Sequence, residues 1–275
     1  MSADPSPAAA VSFDVLTSDG AILRASAEGQ GPTLLLVSGL GGTAAFWDHS
    51  APILARSFRV IRFDQRGIGA STRGMAACNI DQLAQDCLAV LDAAGVGRTI
   101  LLGHSTGGCI GQSVARQAPD RLDGLILSAT WLKQSHYMRA LFETRRSLLV
   151  QNPDAYISTA TLLAYPPNWL EANWAVYESA MSKATIGVQA RQVVRERIDA
   201  LLSFDGSADI ASLTTPALIL GARDDVIVPA FLQAQLAADM PAARMTMLEF
   251  GGHFFPISRP VEFTTEVVEW AGTLG

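Results

Sequence analysis

Ser105 stands in the middle of Gly103-His104-Ser105-Thr106-Gly107, directly after the apolar run Thr99–Leu102. A serine hydroxyl is a weak nucleophile until a neighbouring base takes its proton. The G-x-S-x-G spacing, after a strand and before a helix, is what a nucleophile on a sharp strand-to-helix turn requires. Such a turn forces its central residue into a strained backbone conformation, and flanking glycines keep side chains from colliding with the following helix. The hydroxyl is then lifted above the C-terminal edge of a sheet, near the positive end of the next helix.

The base must come from four histidines, His49, His104, His136 and His253. His104 adjoins the serine, and its side chain is expected to point away. His49 precedes half of the sheet, and His136 opens a stretch without strand character. His253 lies in Glu249-Phe250-Gly251-Gly252-His253-Phe254, a glycine-rich loop after the last strand. The chain order Ser, Asp, His calls for a late base, so His253 is selected. A carboxylate must fix its tautomer and balance its cation. Asp224 and Asp225 both follow an apolar strand; the position four residues before Pro229 selects Asp225, with Asp224 as the alternative. The other aspartate is expected to be a solvated turn residue. An oxyanion needs two N–H donors, each worth about 10²–10³ in rate. Thr106, next to the nucleophile, and Leu40, within Ser38-Gly39-Leu40-Gly41-Gly42, are the expected backbone donors.

These residues need a scaffold that brings them together. Val11–Thr17, Ala21–Ala27, Thr33–Ser38, Phe58–Phe63, Thr99–Leu102, Gly124–Ser128, Ala217–Leu220 and Arg244–Glu249 read as strands. Continuously apolar runs such as Thr33–Ser38 fit a parallel sheet covered on both faces. The first two strands are separated by three residues and read as an antiparallel hairpin. Helices are expected from Asn79, a cap with Gln82 three residues on, to Gly95, and over Thr106–Ala118, Pro229–Ala238 and Pro260–Ala271. The alternation is an α/β pattern. It breaks over residues 132–204, which are helical and aromatic and are cut by prolines at 153, 166 and 167. That segment reads as a helical cap inserted into a core of residues 1–131 and 205–275, with most of its aromatics packing among themselves.

Composition narrows the partners. The 275-residue chain carries 20 basic and 26 acidic residues, a net charge of −6, and no Lys/Arg run, so no nucleic-acid partner is expected. No apolar run reaches the roughly 18 residues that span a bilayer, and no signal core is visible, so the expectation is a cytoplasmic protein without a membrane partner. The N-terminal MSADPSPAAA is expected to fray. Cys78, Cys87 and Cys109 lack metal spacing and read as reduced core thiols. Neither a metal nor a cofactor is expected. An exposed apolar face on the cap would support a homodimer.

Together these motifs resemble the α/β-hydrolase family. Asp64-Gln65-Arg66-Gly67-Ile68-Gly69-Ala70-Ser71 is similar to that family's D-x-R-G-x-G-x-S turn, where the role is structural, so Asp64 and Arg66 are assigned no chemistry. SGLGGTAAFW, FDQRGIG, LSATWLKQSHYMRALFETRRSLL and LLAYPPNWLEAN resemble, more narrowly, the aminoacrylate or carbamate hydrolases of bacterial uracil breakdown. This chain carries the elbow serine that some members of that group lack. The resemblance implies an eight-stranded, mostly parallel sheet with helices on both faces, and cleavage of a C–N bond in a small polar substrate. Enol-lactonases and meta-cleavage C–C hydrolases share the core motifs and remain alternatives. So do, in other classes, a ligand-binding receptor and a cofactor-free oxygenase or perhydrolase. Arg139, Arg145 and Arg146 could hold a substrate carboxylate, although each reads more readily as a solvated charge.

Overall fold

Alternation along one buried strand builds the two layers that flank the sheet. In the computed structural model, which describes residues 10–182, 187–240 and 243–274, the strand β3 (Thr33–Val37) has both faces covered. Leu35 and Val37 join one apolar cluster, and Leu34 and Leu36 join the other. All four are fully buried, each contributing roughly 1.5–3 kcal/mol relative to exposure. Residues 1–9, which include most of the tail expected to fray, lie outside the described residues.

The remaining strands are β1 (Val11–Leu16), β2 (Ile22–Glu28), β4 (Arg59–Phe63), β5 (Thr99–His104), β6 (Leu122–Ser128), β7 (Ala217–Ala222) and β8 (Ala243–Leu248). They form one eight-stranded sheet in the order β1-β2-β4-β3-β5-β6-β7-β8. The β1–β2 and β2–β4 pairs are antiparallel, and the rest are parallel. β5 outruns the expected end at Leu102, because Gly103 and His104 continue the ladder opposite Leu127 and Ser128.

Core helices are α1 (Ala51–Leu54), α2 (Ile80–Ala93) and α3 (Thr106–Gln117), then α9 (Ala230–Asp239), α10 (Phe255–Ser258) and α11 (Pro260–Ala271). Helices α2, α3 and α9 pack on the face that holds Leu35, and α1 and α11 on the face that holds Leu36. Asn79 caps α2 by accepting from the Gln82 N–H at 2.8 Å. Gly95 closes it at φ +65°, where a residue without Cβ is favoured.

Between β6 and β7 the chain leaves the sheet for α4 (His136–Gln151), α5 (Pro153–Ala164), α6 (Pro167–Ala172), α7 (Ala175–Ser182) and α8 (Val188–Ser203). Pro153 and Pro167 open α5 and α6, where the missing N–H costs no helical hydrogen bond. The two ends of this excursion meet: the backbones of Lys133 and Asp205 form an isolated antiparallel β-bridge, and the Gly206 N–H donates to the Leu132 carbonyl at 3.0 Å. Among the described residues no helix is long and apolar enough to cross a membrane.

Candidate active site

Ser105 sits at φ +58°, ψ −122°, in the last position before α3. A non-glycine residue held there stores on the order of 1–3 kcal/mol of strain, which the surroundings must impose. The imposing contacts are visible. The Ser105 N–H donates to the Ser128 carbonyl at 2.8 Å, and its carbonyl accepts from the Gly108 N–H at 2.9 Å. A Cβ on Gly103 would lie 2.1 Å from the Gly107 carbonyl oxygen, and one on Gly107 2.1 Å from that of Val37. Only glycines let α3 start this close to β3 and β5.

His253 is brought to the same edge of the sheet by the loop after β8. Its Nδ1 pairs with Asp225 Oδ2 at 2.8 Å, and both side chains are buried. The other oxygen, Oδ1, accepts the N–H groups of Ile227 and Val228, each at 2.8 Å. With an oxygen acceptor opposite Nδ1, the ring proton sits there and Nε2 is left as the accepting nitrogen, the arrangement a general base requires.

Asp224 is not the solvated turn residue expected. It is half-buried, and its carboxylate accepts from the Gly251 N–H at 3.0 Å and the Gly252 N–H at 2.9 Å. The two glycines, at φ +150° and +65°, can present both N–H groups to one acceptor. One aspartate thus binds the imidazole, and its neighbour binds the loop beneath it.

His104 also departs from expectation. Its ring does not turn away from the site; its centre lies 5.0 Å from that of His253 and 4.9 Å from that of Phe46. The aromatic cluster of Phe46, Phe254 and Phe255 closes around it. Complete burial, and then the nearby His253, push its pKa well down, so it stays neutral, with Nδ1 bound to the Ser128 hydroxyl at 3.0 Å. His49 and His136 are exposed.

Ser105, His253 and Leu40 line one cavity of about 330 Å³. The Ser105 hydroxyl makes no hydrogen bond among the described residues. Gly39 lies against Ser105, since a Cβ there would be 3.0 Å from Ser105 Cβ. Thr106 begins α3, where the first-turn N–H groups have no helical acceptor. Leu40 lines the cavity with Ser105, and Thr106 follows Ser105 directly in the chain.

Three cap arginines were candidates for binding an acid, and the structure separates them. Arg139 is exposed and pairs with Glu143 at 3.9 Å; Arg146 is half-buried and pairs with Asp199 at 2.6 Å. Arg145 is 8% exposed, lines the cavity, and sits over the rings of Phe142 and Tyr156 at 5.4 and 5.0 Å. It has no carboxylate partner within 4 Å among the described residues. Tyr156 and Phe142 thus face the cavity, whereas Tyr165 stacks on Trp169 and Trp174 on Tyr177 within the cap.

Arg197, on α8, escaped the sequence reading. It is fully buried and reaches under the Gly39–Gly42 loop. Its Nε donates to the Leu40 carbonyl at 2.8 Å, and its Nη2 to the Gly39 carbonyl at 3.0 Å and to Gln65 Oε1 at 2.6 Å. Asp64 and Arg66 bind protein groups instead of the cavity. Asp64 accepts from the Ala44 and Ala70 N–H groups, and Arg66 pairs with Asp86 and Asp19. Cys87 and Cys109 are buried, and burial raises both thiol pKa values. A second cavity, of about 320 Å³ between Asp81, Arg116 and Asp209, shares no lining residue with the first.

Residues 32–260 match the alpha/beta hydrolase fold family. A protein of Azorhizobium caulinodans named "Putative carbamate hydrolase RutD" is 35% identical over 247 residues, covering 90% of this chain and 93% of that one. A hydrolase of Pseudomonas aeruginosa superposes with a TM-score of 0.84 at 30% identity, over 95% of this chain and 98% of that one. The enol-lactonase of Burkholderia xenovorans superposes with a TM-score of 0.85 at 22% identity, over 94% of this chain and 100% of that one, and shares the fold.

Proposed function

The chain belongs to the alpha/beta hydrolase fold family, and we propose that it cleaves a C–N bond, of a carbamate, amide or enamine, in a small anionic substrate. Ser105, His253 and Asp225 are the catalytic residues of this reading. On an acyl C–N bond, Ser105 Oγ attacks the carbonyl carbon while His253 Nε2 takes its proton. The N–H groups of Leu40 and Thr106 receive the oxyanion. Collapse breaks the C–N bond, and His253 returns the proton to the departing nitrogen. Water, deprotonated by His253, then releases the acyl group from Ser105. Asp225 holds the ring and balances its transient charge.

The observation that carries the reading is the His253–Asp225 pair at 2.8 Å, opening on the cavity that Ser105 lines. The choice of a C–N bond leans on the carbamate hydrolase name of the Azorhizobium relative. The preference for an anion leans on Arg145, a cation in an apolar wall with no carboxylate partner among the described residues. A cytoplasmic catabolic role accords with both. The test offers purified protein a panel of small carbamates, amides, enamines, enol-lactones and neutral esters. Ammonia or amine release is measured beside acid release, with Ser105→Ala as control. Faster turnover of the C–N substrates, lost in the variant, supports the reading. Preference for the lactones, or turnover that survives in Ser105→Ala, overturns it.

A further inference from the structure

A peptide unit is planar and trans, so its C=O and N–H point in opposite directions. The N–H of Leu40 shares a peptide with the carbonyl of Gly39. Whatever grips that carbonyl therefore aims the N–H. Two donors grip it: Arg197 Nη2 at 3.0 Å, and the Gly42 N–H, also at 3.0 Å. Arg197 Nε fixes the next carbonyl, that of Leu40, at 2.8 Å. A guanidinium holds its donors in a rigid fork, so the two bonds define the plane between them. Glycine at 39 would otherwise let this peptide rotate.

The rest of the surroundings is built for the same guanidinium. Gln65 Oε1 accepts from Nη2 at 2.6 Å, while its Nε2 donates to the Ser38 carbonyl at 2.7 Å, which ties the root of the loop. A Cβ on Gly42 would lie 3.3 Å from the guanidinium carbon. Among the described residues no carboxylate lies within salt-bridge distance of Arg197, and its hydrogen bonds go to three carbonyl oxygens. Polarising the Gly39 carbonyl strengthens the N–H across the same peptide as a donor.

We propose that Arg197 is a positioning residue, fixing the Gly39–Leu40 peptide with its N–H turned to Ser105, so that the oxyanion hole is complete only with α8 docked. The proposal rests on the reading of Leu40 as an oxyanion donor. It adds that the cap, otherwise a wall of the cavity, supplies the strut for the reaction centre beneath it.

The test compares wild type, Arg197→Met, Arg197→Lys and Ser105→Ala on p-nitrophenyl acetate and on an aryl alkylphosphonate that marks the nucleophile. Thermal melting is recorded alongside. With Arg197→Met, kcat is expected to fall by about 10²-fold, the scale of one lost oxyanion donor, with KM within about threefold. Phosphonylation slows by a similar factor, and added methylguanidine restores part of the rate. Arg197→Lys keeps the charge but not the fork, and falls between the two. It decides the matter if the Met variant fails to fold. A strut with no bearing on catalysis would lower the melting temperature and leave kcat of the folded protein within about threefold, which overturns the proposal. A wild type that neither turns over the ester nor reacts with the phosphonate removes the role of Ser105 itself, and this inference with it.

Discussion

The carboxylates of Asp224 and Asp225, adjacent in the chain, diverge to hold two ends of one device. Asp225 binds the His253 ring at 2.8 Å, and Asp224 binds the Gly251 and Gly252 N–H groups that carry that ring. The two are separable by kinetics. Asp225→Asn is expected to lower kcat by about 10⁴-fold, because the amide no longer fixes the reactive tautomer. Asp224→Ala leaves two N–H groups unpaired and should cost about 1–3 kcal/mol of stability, with a smaller loss of kcat. Steady-state kinetics beside urea melts distinguish them; equal kinetic losses would contradict the division of labour.

Backbone strain at Ser105 gives a second expectation. Ser105→Ala and Ser105→Gly both remove the hydroxyl, but only glycine relaxes φ +58°. The glycine variant should be the more stable by about 1 kcal/mol. That is a rise of roughly 2–4 °C in melting temperature over the alanine variant for a chain of this size. Equal melting temperatures would mean that the turn is not strained.

Arg145 should discriminate by substrate charge. Arg145→Met is expected to raise KM for a substrate bearing a carboxylate by roughly tenfold or more, the worth of a charge-assisted hydrogen bond. KM for a neutral ester of the same size should hardly move, because the methionine still packs on Phe142 and Tyr156. Parallel shifts for both substrates would assign Arg145 to packing.

Acid stability should report the Arg66 cluster. The hydrogen bond from Arg66 holds the Asp19 carboxyl well below the usual carboxylate range. Burial alone would lower the pKa of Arg66, and the pairs with Asp86 and Asp19 reverse this and raise it. A depressed carboxylate stabilises the fold above its unfolded pKa, about 3.9, and that contribution fades as pH falls below it. Asp19→Asn should therefore cost stability at pH 6 and flatten its decline between pH 5 and 3, read by urea unfolding at each pH.

How much of the site is written locally varies with the residue. Ser105 is legible because strand, glycines and helix are contiguous. His253 emerges by elimination among four histidines and by chain order. Spacing from Pro229 points to Asp225 but says nothing of the work Asp224 does, which depends on a loop 27 residues on. The cap arginines show where a further signal lay. Met138, Phe142, Arg145 and Leu149 recur at one helical face and are all buried, whereas Arg139 and Arg146 fall off that face. Likewise Val193, Arg197 and Leu201 lie four residues apart on the buried side of α8. An arginine in phase with an apolar stripe is a reason to look for a buried partner. What that partner is follows only from docking α8 onto the Gly39–Gly42 loop, a contact 157 residues apart in the chain. The ring of His104 eluded the sequence for the same reason, since Phe46, Phe254 and Phe255 enclose it from distant segments.

The excursion between β6 and β7 departs from and returns to neighbouring strands, closed at its neck by the Lys133–Asp205 bridge. Such a neck invites exchange: recombination could replace the whole helical segment without disturbing the strands that seat Ser105, Asp225 and His253. The grip of Arg197 on the loop below sets a condition on that traffic. A transplanted segment must arrive with its own side chain to clasp the Gly39 carbonyl, or the recipient would gain a new pocket over a site slowed by about 10²-fold.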